Sequence, residues 1–268
     1  MSIILGIDVG GSGIKGAPVE VDTGELTADR LRIPTPKKST PKAVARVIGE
    51  IVEHFADQLG DGPLGLTIPA PVKHGVVPFI ANLDKSWVGV EAKKFFQDEL
   101  GRDVTLVNDA DAAGLAEVYF GAAKGHPGLV ILTTLGTGIG SAMIHRGVLI
   151  PNAELGHLEL DGVDAETRAA SSVKDRENMS YKDWAVRLQR YYSHVEMLFS
   201  PDLFVVGGGV SKDADQFMHF LDLRTPIVPA TMRNRAGIVG AALASLDALR
   251  HPDPLDPVVN PEANTPVV

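Results

Sequence analysis

The chain contains no cysteine. Disulfides and cysteine-ligated zinc are therefore impossible, a composition that suits the cytoplasm. No apolar run reaches the length of a membrane span. The N-terminus has neither a basic region nor a long apolar core, and Asp8 interrupts it early, so neither secretion nor membrane insertion is expected. Cations are in deficit: 25 Lys and Arg stand against 34 Asp and Glu, a net charge of −9. That balance argues against nucleic acid or a membrane surface as partner, while leaving room for a local basic groove and a small polyanion. What remains is a 268-residue chain, 44% hydrophobic and 22% charged, long enough for one large domain or two small ones sharing a cleft.

Residues 3–8, 14–21 and 27–34 read as strands, joined by turns at 10–13 and 22–24. A helix then opens with Thr40 as N-cap and Pro41 in the first position, carrying the apolar stripe Val44, Val47, Ile48, Ile51, Val52, Phe55 and Leu59 until Gly60-Asp61-Gly62 stops it. Strands follow at 64–68 and 104–107, a helix at 91–100 stopped by Gly101, and another helix from Asp109 to Phe120. Leu129–Leu135 and Ser141–His145 read as strands around a second glycine turn, and 161–180 is polar with little periodicity. Ser180 and Asp183 resemble a capping box for a helix reaching Phe199, with the stripe Trp184, Leu188, Tyr191, Val195 and Leu198. A strand at 203–206 runs into Gly207-Gly208-Gly209, a last apolar helix covers 237–249, and the proline-rich tail 251–268 reads as loosely attached. The unit strand, glycine turn, strand thus occurs twice, and the mixture of strands and helices indicates two α/β lobes.

Several short constellations carry chemistry. In Asp8-Val9-Gly10-Gly11-Ser12-Gly13-Ile14-Lys15, glycines allow close approach of backbone N–H groups to a phosphate, Ser12 and Lys15 add a donor and a charge, and Asp8 suits Mg²⁺ held through water. The same residues would serve a plain β-hairpin. Gly136-Thr137-Gly138 is a second candidate phosphate turn, and Gly207, Gly208 and Gly209 would either approach a nucleotide or permit a tight strand-to-helix turn. Asn108-Asp109 follows a strand, where Asp109 would serve as general base on a hydroxyl or simply cap the next helix. Glu154 and His157 are suited to the hydroxyls of a sugar. Asn82 and Lys85, beside Trp87, would bind a hydroxyl and an anion or form an ordinary surface loop.

Taken in order, Asp8–Lys15, Asn108-Asp109, Leu135–Gly140, Glu154-Leu155-Gly156-His157 and Val206–Val210 closely resemble the ROK sugar kinases of the actin-like ATPase superfamily, over almost the whole span from Ile3 to about Ala248. Residues 82–87, 151–154 and 223–229 are most similar to the polyphosphate-dependent glucokinases and glucomannokinases within it.

The resemblance implies an α/β, two-lobed actin-like ATPase (ribonuclease H-like) fold with an interlobe active-site cleft. Its lobes would be 1–110, completed by the helix 237–250, and 111–236. It implies transfer of a phosphoryl group from polyphosphate, and from ATP as a further donor, to the 6-hydroxyl of glucose. Asp109 would be the base, and Asn82, Asn108, Asp109, Glu154, His157 and Glu166 would hold the sugar. Asp8, Gly10, Gly11, Ser12, Gly13, Lys15, Gly136, Thr137, Gly138, Gly207, Gly208 and Gly209 would hold phosphate or nucleotide, with Asp8 on Mg²⁺ and Lys85 on polyphosphate. A homodimer is also implied. The chain departs from the family in lacking its cysteine-rich zinc knot, and Asp164-Ala165-Glu166 stands in that region, so no zinc is expected.

Three other readings compete with this one. They are an ATP-dependent hexokinase acting on glucose, mannose or fructose, a sugar-binding regulator without catalysis, and a repressor, which would carry an extra DNA-binding domain ahead of the first strand. A polyphosphate site should extend as a basic track, for which Lys37, Lys38, Lys85, Lys212, Arg233 and Arg235 are candidates.

Overall fold

A computed structural model describes residues 3–60 and 62–251. These divide into two compact units, one of residues up to 112 together with those from 237 onward, the other of residues 113–236.

In the first unit, β1 (Ile3–Val9) and β2 (Ile14–Glu20) pair antiparallel around the glycine turn. Of the third expected strand, 27–34, only β4 (Leu31–Ile33) forms; residues 27–30 are not strand, and a two-residue strand, β3 (Glu25–Leu26), precedes them, both strands pairing with β2. Helix α1 (Pro41–His54) has the cap read from sequence, Thr40 Oγ1 accepting the Ala43 N–H at 3.3 Å. It ends earlier than its stripe, and Ala56–Gln58 forms a 3-10 turn instead. Strand β5 (Leu64–Ile68), helix α2 (Ala92–Leu100) and strand β6 (Val104–Asn108) complete a sheet in the order β3-β2-β1-β5-β6, with β4 on β2. Gly101 terminates α2 in the left-handed conformation, as its lack of a Cβ allows. Ile7, Ile48, Leu66, Trp87 and Phe96 are among the core residues here, and Trp87 Nε1 donates to the Ser39 carbonyl at 2.7 Å.

Helix α3 (Asp109–Phe120) leads from the first unit into the second. There β7 (Leu129–Leu135), β8 (Ile139–His145) and β9 (Val148–Ile150) are antiparallel neighbours. Strand β8 starts two residues before the expected Ser141, so the second glycine turn is shorter than its sequence suggested. A small pair, β10 (Glu159–Leu160) and β11 (Val163–Asp164), precedes α4 (Glu166–Ala169) and α5 (Ser171–Arg176), two helices in a stretch that reads as featureless. Helix α6 (Tyr181–Phe199) has its capping box: Ser180 Oγ accepts the Asp183 N–H at 3.1 Å. Its stripe ends at Phe199 rather than Leu198, which is 48% exposed; after Val195 the buried face advances four residues, not three. Strands β12 (Leu203–Gly207) and β13 (Ile227–Pro229) add in parallel to give the order β13-β12-β7-β8-β9. The sheet is buried on both faces: Ile131 and Leu135 pack with Trp184, Tyr192 and Phe204 on one side, Val130 and Leu132 with Ala142 and Val205 on the other.

Helix α7 (Ala236–Arg250) returns to the first unit and lies directly on its sheet. A Cβ at Gly65 would collide with the backbone of Ala241, and one at Gly6 with that of Ile238. Gly65→Val is therefore expected to destabilise the protein by about 2–4 kcal/mol, through overpacking that a helix backbone cannot relieve. A urea midpoint equal to that of the unchanged protein would contradict this packing. No helix of the described residues is long and apolar enough to cross a membrane. The tail expected over 251–268 lies, apart from His251, outside the described residues, as does Asp61.

Candidate active site

The first glycine turn is pinned from several directions. Gly10 N–H donates to the Gly13 carbonyl at 3.1 Å, Thr35 Oγ1 to the Gly10 carbonyl at 2.5 Å, and the Arg32 guanidinium to the Ser12 carbonyl at 2.9 Å. A Cβ at Gly13 would meet that guanidinium at 2.7 Å, so a cation lies flat against the turn. Gly11 faces the Asn82 carbonyl, 3.5 Å from where a Cβ would stand. Asp8 pairs with Lys15 across β1 and β2, at 3.3 Å between charges, and accepts from Thr67 Oγ1 at 3.0 Å. Gly237 adds room beside it, since a Cβ there would come within 2.8 Å of the Asp8 carboxylate. A partly exposed, oriented carboxylate is the hard oxygen donor that a hydrated Mg²⁺ accepts, so these residues fit that ion. Lys85 is exposed in a 3-10 turn, Lys85–Trp87, that Asp84 caps through the Ser86 N–H at 2.9 Å.

At the junction of β6 and α3 the cap falls to Asn108, not Asp109. Asn108 Oδ1 accepts the N–H groups of Ala110 at 2.7 Å and Asp111 at 3.2 Å, and its residue is buried. Asp109 is the first residue of the helix, half-buried, with Oδ1 2.8 Å from the Ala110 N–H.

In the second unit the sugar-type residues and the second glycine turn form one hydrogen-bonded cluster. The turn closes on itself, Gly136 N–H donating to the Gly138 carbonyl at 3.0 Å. Glu166 Oε2 accepts the Ile139 N–H at 3.0 Å, and a Cβ at Gly138 would overlap that carboxylate. Ser171 Oγ and Ser172 N–H donate to the Gly136 carbonyl at 3.1 and 3.0 Å, and Ser172 Oγ to the Thr137 carbonyl at 2.7 Å. Helices α4 and α5 thus supply groups that hold this turn. Ser141 on β8 joins the segment before the Leu155–His157 turn, donating to the Ala153 carbonyl at 2.6 Å and accepting the Leu155 N–H at 2.8 Å. Gly156 lies against Ile139, whose backbone a Cβ would strike.

His157 Nδ1 and Asp164 Oδ2 are 2.8 Å apart, and Asp164 Oδ1 accepts the Glu166 N–H at 3.1 Å. Ligand atoms of His157, Asp164 and Glu166 lie within 4.8 Å of one another. The absence of cysteine therefore rules out only cysteine-ligated metal here. The three groups are tied together by the hydrogen bonds just given, which orient them as donors and acceptors. The hydrogen bond to Asp164 holds the His157 imidazolium to higher pH than usual, against the opposing pull of burial, with Glu166 and Glu154 adding to the rise. Burial raises the Glu154 pKa; His157 opposes this and Glu166 adds to it.

A raised carboxyl pKa means that Glu154 takes up its proton earlier as pH falls. With Glu154 on the sugar, as the resemblance implies, the sugar KM should climb on acidification from a higher pH than an ordinary glutamate would give, and Glu154→Gln should flatten that limb. A KM profile identical in the two proteins would contradict the assignment.

Gly207 ends β12, and Gly208, at φ +82°, passes so close to Leu135 that a Cβ would strike its backbone. Gly208 therefore lies against the strand end that leads into the second glycine turn. Sequence reading missed Arg32, Thr67, Asp164, Ser171 and Ser172. Only Asp164, seven residues after His157 and two before Glu166, carried a local signal.

The chain belongs to the ROK family, whose pattern matches residues 4–177 and so takes in both glycine turns, Asp109 and the carboxylate-histidine cluster. It is 54% identical over 248 residues to a polyphosphate glucokinase of Mycobacterium tuberculosis, covering 92% of each protein. It superposes on the inorganic polyphosphate/ATP-glucomannokinase of Arthrobacter sp. strain KM with a TM-score of 0.88 and 51% identity, covering 94% of this chain and all of that one, 100%. A ROK family glucokinase from Streptomyces griseus, solved with glucose and AMPPNP, gives a TM-score of 0.77 at 22% identity over 92% of this chain and 100% of that one. The fold is the two-lobed actin-like ATPase fold of this family.

Proposed function

We propose that the protein is a glucokinase that moves the terminal phosphoryl group of inorganic polyphosphate to the 6-hydroxyl of glucose. The observation that carries this is the 3.0 Å hydrogen bond from Ile139 N–H to Glu166, which joins the carboxylate-histidine cluster to the phosphate turn within one unit. A site so built binds a polyol and a phosphate side by side. The names of the relatives at 54% and 51% identity support polyphosphate as donor, and that of the glucomannokinase supports ATP and mannose as further substrates.

In this reading Asn82, Asn108, Glu154, His157 and Glu166 orient the hexose, and Asp109 accepts the proton of its 6-hydroxyl. The freed oxygen pair forms the new bond to the terminal phosphorus. The bond from that phosphorus to the bridging oxygen breaks, and the electron pair leaves with a chain one phosphate shorter. Asp8 would hold Mg²⁺ through water, and the ion when bound neutralises phosphate charge. Gly10, Gly11, Ser12, Gly13 and Lys15, with Gly136, Thr137 and Gly138, present N–H groups and a cation to phosphate oxygens; glycines 207–209 would meet a nucleotide. Lys85 would add a contact to polyphosphate. Residues 1–110 with 237–250, and 111–236, are the two functional lobes in this reading. The homodimer and the cytoplasmic location implied by the family belong to it as well.

An assay of glucose 6-phosphate formation with polyphosphate or ATP, with and without Mg²⁺, tests the proposal. Metal-dependent product with polyphosphate is expected. Product with ATP alone would make it an ATP-dependent hexokinase, and no product with either would leave a sugar-binding protein.

A further inference from the structure

We propose that Lys212, Arg233 and Arg235 form a subsite for the part of a polyphosphate chain that trails behind the phosphate being transferred. This rests on the polyphosphate reading above and adds a location to it.

Strands β7, β12 and β13 are adjacent and parallel, with Gly207 level with Thr134 and Val206 level with Pro229. Their carboxyl ends carry, in order, the turn 136–138, the glycines 207–209 and the segment 229–235. Ligands of open α/β sheets bind at such ends. Neighbouring strands are about 4.8 Å apart, so the third end stands roughly 10 Å from the first. The third strand end is therefore within reach of an oligoanion whose terminal phosphate rests on Gly136–Gly138.

At that end is a cavity of about 550 Å³ lined by Lys212, Arg233 and Arg235, with Asp215 its one carboxylate. Three cations against one acid make this a positive site on a chain of net charge −9. The three cations are exposed, and none forms an ion pair among the described residues. The segment that carries Arg233 and Arg235 is anchored. Buried Glu117 on α3 accepts the Met232 N–H at 2.6 Å, the Ala122 N–H at 2.7 Å and Thr231 Oγ1 at 3.3 Å, and Arg233 follows at φ +49°. A site presented by a fixed segment loses less entropy on binding than one on mobile side chains alone. No aromatic residue lines the cavity, while its three cations offer a phosphate chain charge along its length.

The test compares the wild-type protein with Lys212→Ala/Arg233→Ala/Arg235→Ala, using long-chain polyphosphate, tripolyphosphate and ATP as donors to glucose. KM for long-chain polyphosphate should rise roughly tenfold or more, since three exposed charge contacts are lost. The salt dependence of its kcat/KM should flatten, kcat should hold, and tripolyphosphate KM should move about twofold or less. Arg235→Ala alone should give part of the effect, which keeps the test valid if the triple variant folds poorly. Equal shifts for long and short chains, an unchanged long-chain KM, or a rise confined to ATP would each overturn the subsite. Absence of polyphosphate-dependent turnover in the wild-type protein would instead remove the reading beneath it.

Discussion

Asp109→Asn should lower kcat by roughly 10²–10⁴ and leave the glucose KM within a few-fold of its starting value. The asparagine keeps size and hydrogen bonding but cannot take a proton. Asn108 keeps the helix cap, with its two bonds at 2.7 and 3.2 Å, so α3 should start where it does now. Steady-state kinetics with a thermal melt distinguish this from misfolding: the melt should move little while turnover collapses. A variant with near-normal kcat would show that another group accepts the proton, or that the phosphoryl group moves without a base. A large rise in KM with kcat preserved would make Asp109 a binding residue only.

Glu166→Ala should lower kcat/KM for glucose by roughly 10²–10⁴. Its carboxylate is expected to serve the sugar and also accepts the Ile139 N–H at 3.0 Å, directly behind the phosphate turn. Hydrogen bonds to a charged group are each worth about 1.5–3 kcal/mol, so two lost together give the quoted range. Both parameters should suffer, because the turn loosens as the sugar contact disappears. Glu166→Gln is the informative partner: its amide oxygen can still accept the Ile139 N–H, so kcat should recover more than KM. If Ala and Gln variants were equally impaired in kcat, the link between the cluster and the turn would carry no catalytic weight. A normal glucose KM in both would exclude Glu166 from the sugar.

Local chemistry made much of this site legible. Thr40, Ser180 and Gly101 mark helix ends because their side chains, or the lack of one, satisfy the backbone within a few residues. The repeated strand, glycine turn, strand is visible because the sheet period and the glycines both lie in one short stretch. The resemblance to the ROK sugar kinases, carried by five such stretches, agrees with the family match over residues 4–177. Residues 161–180 hide their structure for the opposite reason. Helices α4 and α5 are four and six residues long, too short to show a period, and Ser171 and Ser172 act by bonding carbonyls thirty-five residues away. Arg32 and Thr67 are likewise placed by strand pairing, which no local pattern announces. Leu198 and Phe199 differ by one step of the helix, finer than an apolar stripe resolves.

The account depends on where the phosphoryl group lands. Phosphorus NMR of wild-type protein incubated with glucose, Mg²⁺ and long-chain polyphosphate reads that directly, with correlation to sugar protons identifying the esterified carbon. The predicted spectrum shows a phosphomonoester on the C6 hydroxyl of glucose, growing in step with the shortening of polyphosphate and nearly absent with Asp109→Asn. Orthophosphate release without a sugar ester, or an ester on any other hydroxyl, would contradict it.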